Sequence, residues 1–274
     1  MTIYKSKTTE MRKVLLFFAL MATAIVAPAQ NLKVNVAMPG GLASLVGDRL
    51  DAEQLTVTGI INDNDLRFIR SLQKLKVVNL RKLKNTQIGD SAFYGMKTLE
   101  TVRLPKRLVL LGVSAFEGCD NLTSIEFPGH LQTLPDYVLK GCRSIDKVYI
   151  HNTHITSIGK GAFMDSGVRF ISLSPDLRSI GPMAFANCKR LQVISIPQWV
   201  TEIGSLAFAN CEMLRSIIVA TENPPVCAPD AFSGLNACTL SVKHPELYRD
   251  RMPWSKINLN YEEYNGKELK SPGW

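Results

Sequence analysis

The sequence is poor in the residues and motifs with which enzymes work. It contains only 4 histidines in 274 residues, and aromatic residues make up 8% of the chain. No G-x-S-x-G elbow, phosphate-binding loop, H-E-x-x-H helix or zinc-type C-x-x-C pair occurs. His151 and His154 have no carboxylate or cysteine at a ligand spacing, so we interpret them as solvated loop residues. We therefore predict a protein without catalytic residues, cofactor or metal.

Strong charge of one sign and a membrane-spanning run are also missing. The formal net charge of +8 is compatible with anionic glycans but too small to indicate nucleic acid. The uncharged apolar run Val14–Val26 is shorter than the roughly 20 residues that a spanning helix needs. No later segment is longer and equally apolar, so the sequence predicts no membrane span after this run.

The apolar run has the flanks of a secretory signal. It ends in Ala27-Pro28-Ala29, an A-x-A cleavage pattern, and four basic residues precede it: Lys5, Lys7, Arg12 and Lys13. The pattern predicts a signal peptide over residues 1–29 and leaves a net charge of about +5 for the remainder. We therefore expect an extracytoplasmic protein, with the periplasm, the cell surface and release left open.

An apolar pattern repeats at a fixed period along the chain. Its signature is three apolar residues, with two variable residues between the first and second and one between the second and third. The eight copies, the last of them degraded, are Leu75-Val78-Leu80, Leu99-Val102-Leu104, Leu122-Ile125-Phe127, Ile145-Val148-Ile150, Val168-Ile171-Leu173, Leu191-Ile194-Ile196, Leu214-Ile217-Val219 and Ala237-Leu240-Val242. Their first residues are 24 and then six times 23 residues apart, which predicts stacked structural repeats.

A second signature lies between these predicted strands. It is an apolar residue, Gly, two variable residues, Ala-Phe and often Cys, and it is weaker between Leu134 and Cys142. The clear copies contain Ala92-Phe93, Ala115-Phe116, Ala162-Phe163, Ala184-Phe185 and Ala207-Phe208, with a last trace at Ala231-Phe232. We expect the glycine to allow a sharp turn and Ala-Phe to form a helical turn. The phenylalanines should then stack from Phe93 to Phe232.

Together these patterns predict an α/β repeat solenoid. One 23-residue turn cannot bury its own apolar face, but a neighbour about 4.8 Å away covers it. The strands should form a parallel sheet on one side, with short extended segments and helical turns on the other. We predict an N-terminal cap over 30–74, the solenoid over 75–236, and a C-terminal cap and tail over 237–274.

Both caps have features that the sequence predicts. At the front, residues 55–61 read as a strand, and residues 62–65 offer a helix N-cap before residues 66–72. A calcium loop would need further ligands and a glycine that this segment lacks. At the back, residues 240–242 read as the last strand, and residues 244–252 read as a short helix. Trp254 and Ile257 are expected to seal the final turn.

The cysteines fall into two groups. Cys119, Cys142, Cys188 and Cys211 share one inward repeat position, which predicts packed free thiols. Cys227 and Cys238 leave that register and flank the last loop. A disulfide between these two, which would staple the C-terminal cap, and a pair of free thiols both remain open.

The repeat L-x-x-I-x-L-P, followed by L-x-x-I-G-x-x-A-F-x-x-C, resembles the BspA-like leucine-rich repeats of bacterial surface and secreted proteins. The clearest copy runs from Leu191 through Ile203 to Cys211, and the resemblance covers residues 50–260. It implies a leucine-rich-repeat fold, a right-handed superhelix capped at both ends. It also implies adhesion or ligand binding outside the cell, with no catalytic residues to carry over.

Binding residues are expected at outward positions, because the inward positions are committed to packing. The candidate partner-binding residues are Arg103, Glu126, Lys147, Tyr149, Phe170, Val193 and Ile218, of which the aromatic and aliphatic members should form a partly apolar patch. A basic cluster without an acid is the candidate anion-binding site: Arg67, Arg70, Lys74, Lys76, Arg81, Lys82 and Lys84.

Two functions follow as competing hypotheses. The first is an exported, non-catalytic binding or adhesion module that uses the outward face of the solenoid to bind an extracellular or surface protein, host or bacterial. The alternative is a carbohydrate-binding protein that recognises anionic glycans through the basic N-terminal cap. A monomer is expected, and nucleic acid is not expected as a partner.

Overall fold

The computed structural model describes residues 31–256 and 259–263. The predicted signal peptide and Ile257 lie outside the described residues. The helices are α1 (Leu42–Val46) and α2 (Asp63–Ser71), followed by 3-10 helices at Pro245–Leu247 and Trp254–Lys256. No helix in this part of the chain has the length and apolarity needed to cross a bilayer.

The dominant elements are short strands that recur once or twice in every turn. In chain order they are β1 (Asn31–Val36), β2 (Gln54–Gly59), β3 (Val77–Asn79), β4 (Gln87–Ile88), β5 (Thr101–Arg103), β6 (Leu110–Leu111), β7 (Ser124–Glu126), β8 (Thr133–Leu134), β9 (Lys147–Tyr149), β10 (Ser157–Ile158), β11 (Phe170–Ser172), β12 (Ser179–Ile180), β13 (Val193–Ile196), β14 (Glu202–Ile203), β15 (Ser216–Val219), β16 (Val226–Cys227), β17 (Cys238–Val242) and β18 (Leu259–Glu263).

The first strand of each turn lies beside its counterpart in the next turn, and all pairings are parallel. The N-terminal strands on this side of the stack form a sheet with the order β1-β2-β3-β5-β7, which we call the front sheet. The C-terminal strands on the same side form a sheet with the order β9-β11-β13-β15-β17-β18, which we call the back sheet. Val102 is opposite Ile125, and Val148 is opposite Ile171. These apolar residues occupy one position of the repeat, so the predicted parallel-sheet solenoid is confirmed.

A second side of the stack consists of the two-residue strands. They form one sheet with the order β8-β10-β12-β14-β16 and a smaller pair β4-β6, again parallel. In each of β6, β8, β10, β12 and β14 the second residue is buried and the first is not. These strands are the last two residues of the extended segments that the sequence predicts.

The third side is built from the Ala-Phe turns, and it holds the stack together where the sheets are interrupted. Within the described strands, β7 does not pair with β9, and β6 does not pair with β8. Across this interruption the backbone N–H of Phe116 donates to the Val138 carbonyl at 3.0 Å. The N–H of Leu139 donates to the Ala162 carbonyl at 2.8 Å. The interruption falls at the weaker repeat copy, where Pro135 replaces the glycine.

The predicted helical turns are tight turns and not helices, because two residues adopt a left-handed backbone in all of them except the last, at Ala231-Phe232. In one turn these are Ser91, with φ 53°, and Gly95, with φ 69°. The N–H of Tyr94 bonds within its own turn, to Ser91, whereas the N–H of Phe93 bonds to Ala115 of the next turn at 2.8 Å. This alternation satisfies the backbone both within and between turns, which offsets the cost of the left-handed residues.

A stack of phenylalanine rings runs through the interior, as predicted. Phe163, Phe185 and Phe208 are fully buried, with successive ring centroids 5.0 and 5.2 Å apart and planes within 3° of parallel. The stack is not continuous, because Leu139 occupies the phenylalanine position between Phe116 and Phe163. Each ring covers the face of the next, so the core of one turn is completed by its neighbours.

The repeat glycines serve close packing between turns, and the prediction that they allow a sharp turn was wrong. Gly112, Gly181 and Gly204 do not adopt a positive φ. A Cβ atom on Gly112 would lie 2.3 Å from the backbone nitrogen of Asp90 in the preceding turn. On Gly204 it would lie 2.5 Å from the nitrogen of Pro182. Only a residue without a side chain allows two backbones to approach this closely.

The repeat cysteines are free and fully buried, as predicted, and each thiol has a hydrogen-bonding role. The Cys119 thiol donates to the Phe93 carbonyl at 3.0 Å, and the Cys211 thiol donates to the Phe185 carbonyl at 3.1 Å. The Cys188 thiol donates to the Phe163 carbonyl at 3.0 Å. Cysteine suits this position because it is small and apolar and still satisfies a buried carbonyl.

Burial makes these thiols a source of pH-dependent stability. Burial raises the pKa of the Cys188 thiol from 9.0 to about 12. At pH values between these two pKa values, the Cys188 thiol is deprotonated in the unfolded chain and protonated in the folded chain. The free energy of unfolding therefore falls as pH rises. We expect the stability advantage of wild type over Cys188→Ala to shrink by about 1.4 kcal/mol from pH 8 to pH 10. Urea unfolding at both pH values measures this, and an advantage independent of pH would contradict it.

The disulfide between Cys227 and Cys238, one of the two open alternatives, is not formed. Both cysteines are free thiols. Cys227 lies on β16 and Cys238 on β17, and these strands belong to sheets on different sides of the stack. Burial raises the pKa of Cys227 to about 12 and that of Cys238 to about 11. The strands β16 and β17 are therefore not joined by a covalent link.

The front of the stack begins one strand earlier than predicted. β1 pairs with β2, and Leu32 is opposite Leu55, so β1 is a further strand of the front sheet. Asn62 caps α2 as predicted, in a reciprocal capping box with Asp65. The buried Asp65 carboxylate also accepts the N–H of Gly40 at 2.6 Å and that of Leu42 at 2.9 Å. This side chain therefore ties the β1–α1 loop to α2.

The back of the stack is covered by aromatic residues. Trp254 is buried, with its ring centroid 4.9 Å from that of Phe232 and 5.3 Å from that of Tyr248. The prediction that β17 is the last strand was wrong, because β18 pairs with it in parallel. The predicted short helix over residues 244–252 is reduced to the 3-10 helix Pro245–Leu247.

Candidate functional site

The outward side chains of the back sheet stand in two rows, because alternate residues of a strand point to opposite faces. In one row Phe170 is the register partner of Lys147 on one side and of Val193 on the other. In the second row Tyr149 is the partner of Ser172. We call Lys147, Tyr149, Phe170 and Val193 the outer patch. The structure therefore brings together four of the seven predicted partner-binding residues.

The outer patch is partly apolar and partly exposed. The Tyr149 side chain is 42% exposed, and the other three residues are half-buried. The Tyr149 ring also makes an edge-on contact with His151, with centroids 6.2 Å apart. Aromatic side chains with an accessible face and a polar end are favoured at protein–protein contacts.

A charged cluster fixes the edge of the outer patch. Asp146 accepts a hydrogen bond from Arg169 Nη2 at 3.1 Å and another from Arg190 Nη2 at 2.9 Å. The Arg169 guanidinium also lies 4.8 Å from the centroid of the Phe170 ring, a cation–π contact. These contacts join three successive turns beside Phe170. The side chains are therefore held in place before any partner arrives, which lowers the entropic cost of binding.

The other predicted partner-binding residues lie apart from the outer patch. Arg103 and Glu126 are register partners at the end of the front sheet, across the ladder interruption from Tyr149. The prediction for Ile218 was wrong, because its side chain is only 4% exposed. Its strand β15 is paired on both sides over four residues, and the register partners of Ile218 are Ser195 and Ser241.

Three of the seven residues of the predicted basic cluster make contacts within the protein. Arg70 donates to the Ser91 carbonyl, and Lys76 pairs with Glu53 at 3.0 Å. Arg67 donates to the side chain of Asn64 in its own helix. Arg70 and Lys76 are therefore tied to neighbouring turns, and Arg67 to its own helix.

A partly different set of basic residues surrounds a pocket on the front sheet, which we call the basic pocket. Its volume is about 620 Å³, and its cationic residues are Lys33, Arg81, Lys82 and Lys106. Lys33 was not among the predicted anion-binding residues because β1 had not been recognised as a strand of the sheet, and Lys106 lies outside residues 67–84, over which the basic cluster was predicted. The signal was present, since Lys33, Thr56 and Asn79 follow one another at the 23-residue period.

The residues with potential for metal or acid–base chemistry are dispersed. Among the described residues, no three His, Cys, Asp or Glu side chains converge on a metal-sized site. His154 Nδ1 lies 2.8 Å from Asp176 Oδ2, with the two side chains 78% and 46% exposed. Solvent screens such a pair, so it is a surface contact.

Comparison with known proteins gives a family match. A family model described as BspA type leucine rich repeat region matches the chain in six copies, over residues 68–191 and 156–244. No curated protein matches the chain.

Solved structures of bacterial leucine-rich repeat proteins are also similar. A leucine-rich repeat protein from Bacteroides ovatus ATCC 8483 shares 19% identity over 85% of this chain and 69% of that chain, with a TM-score of 0.50. A leucine rich cell surface protein from Faecalibacterium prausnitzii A2-165 shares 20% identity over 80% and 65%, with a TM-score of 0.41. The T. pallidum leucine rich repeat protein shares 22% identity over 68% and 84%, with a TM-score of 0.37. The first of these supports the fold.

Proposed function

Since the chain belongs to the BspA-type leucine-rich repeat family, we propose that it is a non-catalytic binding or adhesion module whose outer patch contacts a protein partner. The observation that carries this proposal is the partly exposed outer patch beside the Asp146–Arg169–Arg190 cluster. A repeat protein commits its inward side chains to packing, so recognition falls to outward positions. Aromatic residues in a preorganised setting are the ones that most often dominate a protein contact.

The proposal places this module outside the cytoplasm. Its support is the signal-like pattern of residues 1–29, in which basic residues precede an apolar run and an A-x-A site. The proposed organisation keeps 30–74 as the N-terminal cap, 75–236 as the solenoid and 237–274 as the C-terminal cap and tail. The solenoid is proposed to be right-handed, as parallel crossover connections almost always are.

We expect Tyr149→Ala with Phe170→Ala to weaken partner binding without unfolding the protein. Two aromatic contacts removed from the centre of an interface cost about tenfold or more in affinity. Partners are first captured on the wild-type protein from surface extracts of the source cells and of cells that live beside them. The captured protein is then titrated with wild type and with the variant by calorimetry. Thermal unfolding of both proteins shows whether the fold is kept.

The matched control is Tyr94→Ala with Trp199→Ala, which removes two exposed aromatic residues outside the outer patch. Tyr94 is 53% exposed and Trp199 is 55% exposed. The proposal requires the control to bind like wild type. Equal affinity of wild type and the outer-patch variant would remove this face from consideration.

A further inference from the structure

The basic pocket on the front sheet is a concentration of positive charge without a compensating acid in its lining. The lining contains the four cations Lys33, Arg81, Lys82 and Lys106 and no acidic residue. Arg81 has a contact with Glu126 at 3.7 Å, and that glutamate is 72% exposed outside the pocket. Among the described residues, Lys33, Lys82 and Lys106 form no ion pair. Four like charges held together are costly, and an anion would relieve the repulsion.

The polar residues of the pocket add hydrogen-bond donors to this charge. Asn35 Oδ1 accepts the hydroxyl of Thr58 at 3.0 Å, so the amide NH2 group of Asn35 is what remains for a ligand. Asn79 Oδ1 accepts the N–H of Arg81 at 3.1 Å, which leaves the NH2 group of Asn79 in the same way. Thr56 also lines the pocket. A lining rich in donors selects a ligand rich in acceptor oxygens.

The pocket is a product of the stacking. Lys33 and Thr56 are register partners on β1 and β2, and Thr56 and Asn79 are register partners on β2 and β3. Lys106 comes from the turn that follows β5. Adjacent turns thus place one recognition residue each at a fixed spacing of about 4.8 Å, which suits an extended polymer of repeating units.

We propose that the basic pocket binds an acidic polysaccharide that carries sulfate or carboxylate groups. A volume of 620 Å³ lies within the range of about 300–1,000 Å³ typical of ligand pockets, so the pocket has room for a short segment of the polysaccharide. The lining has no aromatic residue for stacking, unlike sites that bind single-stranded nucleic acid or neutral sugars. Val34 is its single apolar residue. This site is separate from the outer patch and does not depend on the proposed protein contact.

The test compares two double variants that remove the same charge. The pocket variant is Lys33→Gln with Lys106→Gln, and the control is Lys74→Gln with Lys84→Gln, two exposed lysines of the predicted basic cluster that do not line the pocket. The probes are heparin and polyglucuronate, titrated by calorimetry at about 50 mM and about 150 mM salt. We expect the pocket variant to bind at least about tenfold more weakly and the control within about twofold of wild type, with a shallower salt dependence for the pocket variant.

Each other outcome overturns the proposal. Equal losses in the two variants would mean that heparin responds to net charge and not to this pocket. Failure of wild type to bind either polysaccharide at the lower salt concentration would exclude the ligand class. Tighter binding of polyglutamate than of both polysaccharides would reassign the pocket to acidic peptides. Thermal unfolding of both variants is expected to match wild type, because all four lysines are exposed.

Discussion

Gly112→Ala is expected to lower the free energy of unfolding by about 3 kcal/mol, the upper end of the usual cost of overpacking. The added Cβ would meet the Asp90 nitrogen at 2.3 Å, the Gly89 carbonyl carbon at 2.3 Å and the Asp90 Cα at 2.5 Å. All three atoms belong to the backbone, so no side chain can rotate away to make room. Two turns must separate instead, which weakens the hydrogen bond from Gly112 N–H to the Ile88 carbonyl.

Gly129→Ala is the matched control for this substitution. A Cβ on Gly129 would have its nearest contact with the Asn152 carbonyl oxygen at 3.6 Å, an ordinary van der Waals distance. Its backbone is not in the left-handed region, so the control changes the same atoms without the clash. Chemical denaturation of wild type and both variants measures the difference. Comparable losses from the two substitutions would mean that close approach between turns is not the reason for the repeat glycine.

Phe185→Ala is expected to lower the free energy of unfolding by about 3–5 kcal/mol, as for other buried phenylalanines. The ring is fully buried between Phe163 at 5.0 Å and Phe208 at 5.2 Å, so its removal uncovers both neighbours. The cavity cannot collapse easily, because the backbones on either side are fixed by hydrogen bonds between turns. Denaturation by guanidinium chloride, followed by tryptophan fluorescence, measures the loss.

Phe185→Leu separates the stacked ring from simple volume. Leu139 already occupies this position of the repeat and is fully buried, so the fold accepts leucine there. We expect Phe185→Leu to cost less than half as much as Phe185→Ala, because it restores most of the apolar contact. A loss as large as that of the alanine variant would show that ring stacking, and not burial, stabilises the column.

The repeat and its register could be predicted from the sequence because each position is repeated many times. Val102, Ile125, Val148 and Ile171 follow one another at intervals of 23 residues. In the structure they lie on parallel strands, and Val102 is in register with Ile125 and Val148 with Ile171. The phenylalanine stack and the buried cysteines followed from the same period. A single period in one dimension is sufficient for these features, since each turn contacts only its neighbours.

Features that depend on contacts between backbones were not accessible in the same way. The repeat glycine was assigned to a turn because conformational freedom is the usual reason for a glycine. In the structure the position needs glycine because the backbone of the neighbouring turn leaves no room for a Cβ atom. β1 was missed because its residues Leu32, Val34 and Val36 alternate without the proline and phenylalanine signals of later copies. β18 lies in a polar segment whose strand character comes from the exposed edge of β17.

The candidate sites were predicted less completely than the fold. Outward positions were identified by alternation, but alternation does not report how far a side chain is covered, and Ile218 is buried at such a position. The basic cluster was read along the chain, whereas the basic pocket is assembled across turns. Lys33 and Arg81 are far apart in sequence and line one pocket because β1, β2 and β3 are adjacent.

The central claim is that successive copies stack in register, and spin-label distances test it most directly. Labels at Ser241 paired with Ser195, Tyr149 or Arg103 are two, four and six turns apart, which predicts about 10, 19 and 29 Å at the strand spacing of about 4.8 Å. The native thiols are largely protonated at neutral pH and react slowly, so the introduced cysteines are labelled preferentially. Distances that rise in proportion to the number of turns are the expected result. A Tyr149–Ser241 distance well beyond 30 Å, or one that exceeds the Arg103–Ser241 distance, would contradict the stacked solenoid.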